Sequence, residues 1–263
     1  MTIRHDPWPA GCPAWADLMV PDRHVAREFY SALFGWEFTE GTPETGYYMM
    51  ALKDGEPVVG IGEPLPGQEG SPSQWTVYLA SDDVAADVET AAANGATVLA
   101  PAMDVMAFGK MAVIADPTGA VAGLWQSGTH TGANVVAEPG TLVWTEQMSR
   151  DLEAATSFFA TLFGYTYTDM SAPGGMQYVT FEIDGVTSGG LGEITPEMGD
   201  AQPHWLAYFG VEDTDDAAAT ITEHGGTVLK PAWDTPFGRI AIVAGAVGEV
   251  FAIIRMAEQP EDA

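Results

Sequence analysis

Basic residues are scarce in this chain. Nine Lys and Arg stand against 37 Asp and Glu in 263 residues, a formal net charge of −28. Holding a nucleic-acid backbone requires clustered cations, and adhering to an anionic membrane surface requires the same, so neither is an expected partner. The excess of acid favours solubility and, among small ligands, cationic ones. Cysteine is nearly absent: Cys12 stands alone, which excludes an intrachain disulfide and a thiol cluster for metal. No run approaches the roughly 20 uninterrupted apolar residues of a membrane span. No basic segment followed by an apolar stretch opens the chain, so no signal peptide is expected and the cytoplasm is the expected location. Histidine is sparse, with five in all, and no Ser-His-Asp arrangement can be argued from them. Gly60-Ile61-Gly62 lacks the following glycine and helix of a phosphate-cradling loop.

What the chain does have is a repeat. Phe29-Tyr30-Ser31-Ala32-Leu33-Phe34-Gly35-Trp36 returns as Phe158-Phe159-Ala160-Thr161-Leu162-Phe163-Gly164-Tyr165, 129 positions on. The same offset carries Trp15 to Trp144, Asp17 to Glu146 and Asp22 to Asp151. An offset of 130 carries Trp75 to Trp205 and Gly95 to Gly225, and 129 returns for Phe108-Gly109-Lys110 against Phe237-Gly238-Arg239. A self-match of this length means two homologous domains, placed at 1–132 and 138–263 and joined by a glycine-containing linker over 128–140. Residues 1–12 read as a loose lead-in, and the acidic tail after Met256 as frayed.

Within the first copy, Trp15 to Val20 reads as a strand, and Asp22 as the N-cap of an amphipathic helix that Gly35 closes in the left-handed conformation. Three short strands follow near 36–40, 46–52 and 56–62, with Asp54-Gly55 as a hairpin turn. After a Pro-, Gly- and Ser-rich linker at 63–73 the order begins again. A strand starts at Trp75, Asp82 or Asp83 caps a helix ending at Asn94-Gly95, and strands follow near 97–100, 110–115 and 120–126. The last two are joined by Asp116-Pro117-Thr118-Gly119. Each domain is therefore two βαβββ modules, an α+β fold, and the chain holds four modules.

Paired βαβββ modules, a helix ending Phe-Tyr-x-x-Leu-Phe-Gly-Trp and an Asp-Pro-x-Gly hairpin before the final strand resemble the vicinal oxygen chelate superfamily (glyoxalases, bleomycin-resistance proteins and extradiol dioxygenases), in the tandem form found in actinobacteria. Residues 13–126 and 142–255 carry the resemblance. It implies two half-open barrels formed by the tandem modules. In metal-dependent relatives it also implies a divalent ion held by residues on the first strand of each module and a Glu on the last. Counting from the helix caps and the hairpin puts those positions at Trp15, Thr76 and Gly123, and at Trp144, Leu206 and Ala252. None of the six is a good ligand, so no metal and no cofactor are expected at these positions.

Strand parity shows what replaces the metal, because residues i and i+2 share a face. Trp15, Asp17 and Met19 line the first cavity with Thr76 and Tyr78. Trp144, Glu146 and Met148 line the second with His204, Leu206 and Tyr208. An indole, a carboxylate and a thioether in a row suit a flat organic ligand. Trp75 and Trp205 have the opposite parity and belong to the core. If the facing strands run antiparallel, Glu146 and His204 become neighbours and form an acid–base pair, with Asp17 and Gln74 as a non-catalytic counterpart. The reading is a metal-free binding protein for a planar aromatic metabolite or drug, cationic in its sharpest form, with a sequestration, resistance or carrier role. A glyoxalase-like lyase or accessory oxygenase is the alternative enzyme, and a protein-interaction role without small-molecule chemistry the third reading. Because the tandem copy can supply the twofold partner of single-unit relatives, the two domains are expected to pack together in a monomer or weak homodimer.

Overall fold

A computed structural model describes residues 3–64, 70 and 72–257. The Pro-rich linker at 63–73 and the acidic tail thus fall largely outside the described residues.

The first half runs β1 (Pro13–Met19), α1 (Arg23–Phe34), β2 (Glu37–Phe38), β3 (Met49–Lys53) and β4 (Glu56–Gly62), then β5 (Gln74–Ala80), α2 (Val84–Ala93), β6 (Thr97–Val105), β7 (Gly109–Ala115) and β8 (Val121–Ser127). The second half repeats it as β9 (Leu142–Ser149), α3 (Leu152–Phe163), β10 (Thr166–Asp169), β11 (Tyr178–Ile183), β12 (Val186–Glu193), β13 (His204–Gly210), α4 (Thr214–Glu223), β14 (Thr227–Thr235), β15 (Gly238–Ala244) and β16 (Val250–Met256). Each half is one eight-stranded sheet, in the order β2-β3-β4-β1-β5-β8-β7-β6 and its copy. The two modules of a half meet where β1 pairs antiparallel with β5, and within each module the first and last strands pair in parallel. The α+β fold of two tandem domains is therefore as the sequence implies.

The local signals behave physically. Asp22 accepts the His24 backbone N–H at the start of α1, and Gly35 ends it at φ 69°. Asp83, rather than Asp82, caps α2. Asp54 and Gly55 both take positive φ, 51° and 85°, as a tight hairpin needs. Asp116 accepts the backbone N–H groups of Thr118, Gly119 and Ala120.

The core is continuous across the halves. Phe34, Trp36, Trp75 and Phe251 all pack on Phe209. Tyr30 donates to Glu249 at 2.6 Å, both fully buried, while Trp75 donates to Tyr30. Gln147 donates to Asp116 from the opposite direction. Trp75 and Trp205 are buried as parity requires.

One expectation is corrected. The lead-in is not loose but a further piece of the repeat. Gly11 and Gly140 each precede a first strand at positive φ, and each donates its N–H across to the fifth strand of its half, at Ala80 and Gly210. Their carbonyls accept from the other half, from the Tyr165 hydroxyl and the Trp36 indole N–H respectively.

Candidate functional site

Strand register fixes which residues lie side by side. One row across the first sheet is Trp15–Tyr78–Gly123, and the next is Gly60–Asp17–Thr76. The second sheet repeats them as Trp144–Tyr208–Ala252 and Gly190–Glu146–Leu206. Tyr78 and Tyr208, not Thr76 and Leu206, thus stand across from Trp15 and Trp144, two residues along the strand from the positions that the sequence count gives.

Each row of aromatic and acid closes into a hydrogen-bonded network. In the first half Trp15 Nε1 donates to Tyr48 Oη at 3.0 Å. Tyr48 and Tyr78 then both donate to Asp17 Oδ2, at 3.4 and 3.1 Å. In the second half Trp144 Nε1 donates to Tyr178 Oη at 3.0 Å, Tyr178 donates to Glu146 Oε1 at 2.7 Å, and Tyr208 donates to Oε2 at 2.6 Å. The extra methylene of Glu146 spreads its oxygens to one tyrosine each. Asp17 offers one oxygen to both, and its Oδ1 is buried without a partner.

Tyr48 and Tyr178 went unseen in the sequence. Their signal was the offset of 130 that relates them, together with two glycine pairs. Gly60 faces Asp17 and Gly190 faces Glu146 across parallel strands. A Cβ at either would fall on the phenol of Tyr48 or Tyr178. Gly62 and Gly192 likewise make room for Met19 and Met148, whose sulfurs lie 3.0 and 2.8 Å from where a Cβ would be. Only glycine lets the tyrosine lie flat on the strand and reach the acid.

Burial sets the electrostatics. Desolvation pushes the Asp17 carboxyl up to about 7, against the opposing hydrogen bonds from Tyr78 and Tyr48. Desolvation also raises Glu146, again against its tyrosine donors, and the phenols of Tyr78, Tyr178 and Tyr208 rise well above their usual value.

The two sites differ in access. Trp15, Asp17 and Tyr78 are 4%, 5% and 6% exposed. Over them the linker lays His130, whose ring meets Trp15 edge-on at 4.4 Å, and Trp125 donates to the His130 carbonyl. Burial drops that imidazole to about 4, so it is neutral. Trp144, Glu146 and Tyr178 are only half-buried. Met148 and Tyr208 are buried beside them.

His204 lies directly across from Met148, two pairs beyond Leu206 and Glu146. Its Nδ1 meets the Gln202 carbonyl at 2.8 Å, and both Glu146 oxygens are taken by tyrosines. The structure thus brings Glu146 together with Tyr178 and Tyr208 and leaves His204 at the rim.

The residues do not fit the divalent ion of metal-dependent relatives. At the three positions stand an indole, a phenol and Gly123 or Ala252, and the space a Glu at Gly123 would need is filled by the Tyr78 ring. Among the described residues no three His, Cys, Asp or Glu side chains converge.

The comparisons with known proteins agree with the fold. The family model described as Glyoxalase/Bleomycin resistance protein/Dioxygenase superfamily matches residues 13–124 and 129–253. CFP32 of Mycobacterium tuberculosis, provisionally named a glyoxylase, is 37% identical over 95% of this chain and 96% of its own. The anthracycline biosynthesis protein DauV of Streptomyces sp. is 33% identical over 94% of each. Among solved structures, the Mn(II)-bound glyoxalase of Novosphingobium aromaticivorans matches with TM-score 0.66 at 14% identity, over 95% of this chain and 83% of that one. The 2,3-dioxygenase LapB of Pseudomonas sp. matches with TM-score 0.64 at 14% identity, over 98% and 96%. Matched in both halves by one family model, and over nearly its whole length by these relatives, the chain belongs to the glyoxalase/bleomycin resistance protein/dioxygenase superfamily.

Proposed function

We propose that this protein is a metal-independent binder of a flat aromatic small molecule, held in the second half against Trp144, Glu146, Tyr178 and Tyr208. The observation that carries the reading is a desolvated carboxylate gripped by two tyrosines, on a residue less buried than its counterpart Asp17, in the place where relatives are expected to hold a metal. The rings offer stacking surface, Met148 adapts to shape, and an ionised Glu146 attracts a positive edge on the ligand, an attraction that the chain's net charge of −28 reinforces. The first half, closed over by His130, braces rather than binds. A relative named for anthracycline biosynthesis fits a polycyclic aromatic ligand.

The test is a titration with proflavine, a planar cation, followed by quenching of tryptophan emission. Binding should saturate at one equivalent, the dye should be recovered unchanged, and Glu146→Gln should weaken it at least tenfold. The sign of the pH dependence follows from burial. A cation needs the ionised carboxylate, and desolvation holds Glu146 above its ordinary range, so affinity should fall as pH drops through that raised value. Retention of full affinity in Glu146→Gln would overturn the placement. Acid–base catalysis at Glu146, in a lyase- or oxygenase-like reaction, is the second reading, favoured by the same raised carboxyl and by the glyoxylase and biosynthesis names of the relatives. It differs in predicting turnover of the bound molecule.

A further inference from the structure

A cavity of about 380 Å³ lies at a seam between the halves, walled by the lead-in (Trp8, Cys12), the linker (Val136) and the second sheet (Trp144, Val186, Ser188). Its origin is a break in the pseudo-symmetry. Where the linker crosses the first half it is stitched down: Ala133 N–H donates to Ala14, Asn134 N–H to Pro57, and the Asn134 amide to Glu56. The matching lead-in segment crosses the second half without such bonds. Among the described residues no hydrogen bond ties residues 4–10 to β9 or β12, and Arg4 turns back onto the carbonyls of Asp6 and Pro7. One seam is closed and the other stands open.

We propose that this cavity is a second small-molecule site, which shares the Trp144 indole with the Glu146 network but not its carboxylate or tyrosines, for a neutral planar system of about three fused rings. Size sets the ring count: a dry apolar cavity of roughly 150 Å³ accepts one benzene, and this one is about two and a half times larger. Flatness and low polarity follow from the walls. Both indole N–H groups are already used, Trp8 on the Ala133 carbonyl and Trp144 on Tyr178, so neither is a free donor; Arg4 lies over the Trp8 ring at 4.9 Å, and Trp144 supplies ring surface. The walls carry one charge of each sign, Arg4 and Asp184, so neither a cation nor an anion meets a matched charge on both sides. The Cys12 thiol is raised by burial, and so is neutral.

Acridone, neutral and three-ringed, is the probe, with its fluorescence anisotropy read against full-length protein. Saturable binding of one equivalent is expected. Val186→Trp, which fills the cavity from an exposed strand position, should weaken it at least tenfold, and Pro9→Trp on the opposite wall should do the same. Glu146→Gln should leave it within twofold. No saturable binding, or binding insensitive to both tryptophan variants, overturns the proposal. Loss on Glu146→Gln alone would move acridone to the carboxylate network, contradicting this site and supporting the reading above. Proflavine failing at Glu146 while acridone behaves as expected would do the reverse.

Discussion

Asp17 is a carboxyl that the fold prefers to keep protonated. Its folded value of about 7 lies above the ordinary 3.8, so between those values the native state binds more protons than the unfolded chain. Stability on this account is highest at low pH and is lost as pH rises toward and through 7. The magnitude is on the order of a few kcal/mol. Asp17→Asn removes the titration, so denaturant midpoints of wild type and variant should diverge between pH 5 and pH 8, with wild type losing more. Parallel pH profiles would contradict it. Much of this residue-level arrangement was legible: period two placed Trp15, Asp17 and Met19 on one face, and Trp144, Glu146 and Met148 on its copy. His204 is not beside Glu146 because the register sets Tyr208, and not Leu206, across from Trp144, which carries the imidazole two residue pairs along, to Met148. Tyr48 and Tyr178 were missed because the parity argument covers only the first strand of each module, while their rings reach the acid over the glycines of β4 and β12.

At the scale of elements, the glycine strands β4 and β12 are what the two networks depend on. Gly60→Ala and Gly190→Ala put a methyl where Tyr48 and Tyr178 put their phenols. Overpacking of this kind costs about 1–3 kcal/mol, and the displaced tyrosine leaves the acid with one donor fewer. Each variant should melt lower than wild type, and Gly190→Ala alone should also weaken proflavine binding, because the first site is closed. Equal loss of binding in both would contradict the division of labour. The helices and hairpins were readable from caps and turns, since Asp22, Gly35, Asp54-Gly55 and Asp116 each act locally. Lengths were less so: β6 continues to Val105, past Pro101 and two register shifts. As the last strand of its sheet, β6 leaves one side unpaired, and an edge strand tolerates a proline without an N–H to give.

At the scale of the molecule, the two halves share one hydrophobic core, and so should unfold together. Tyr30→Phe leaves Glu249, fully buried in the seam, without its side-chain donor. Loss of such a partner costs about 1–3 kcal/mol. The variant should unfold at lower denaturant in one transition; two resolved transitions in wild type would contradict a shared core. With the tandem copy filling the partner's place, light scattering should give a monomer or weak dimer. The repeat revealed the two domains, but not the exchange of Gly11 and Gly140 between them, because that contact involves segments that look like linkers in the sequence. The central claim is that a carboxylate–tyrosine network, and no metal, holds the ligand. The most direct measurement is proflavine affinity in EDTA-dialysed protein, with and without added Mn(II). The account predicts the same affinity in both and its loss in Glu146→Gln. Binding that appears only with Mn(II) would contradict it.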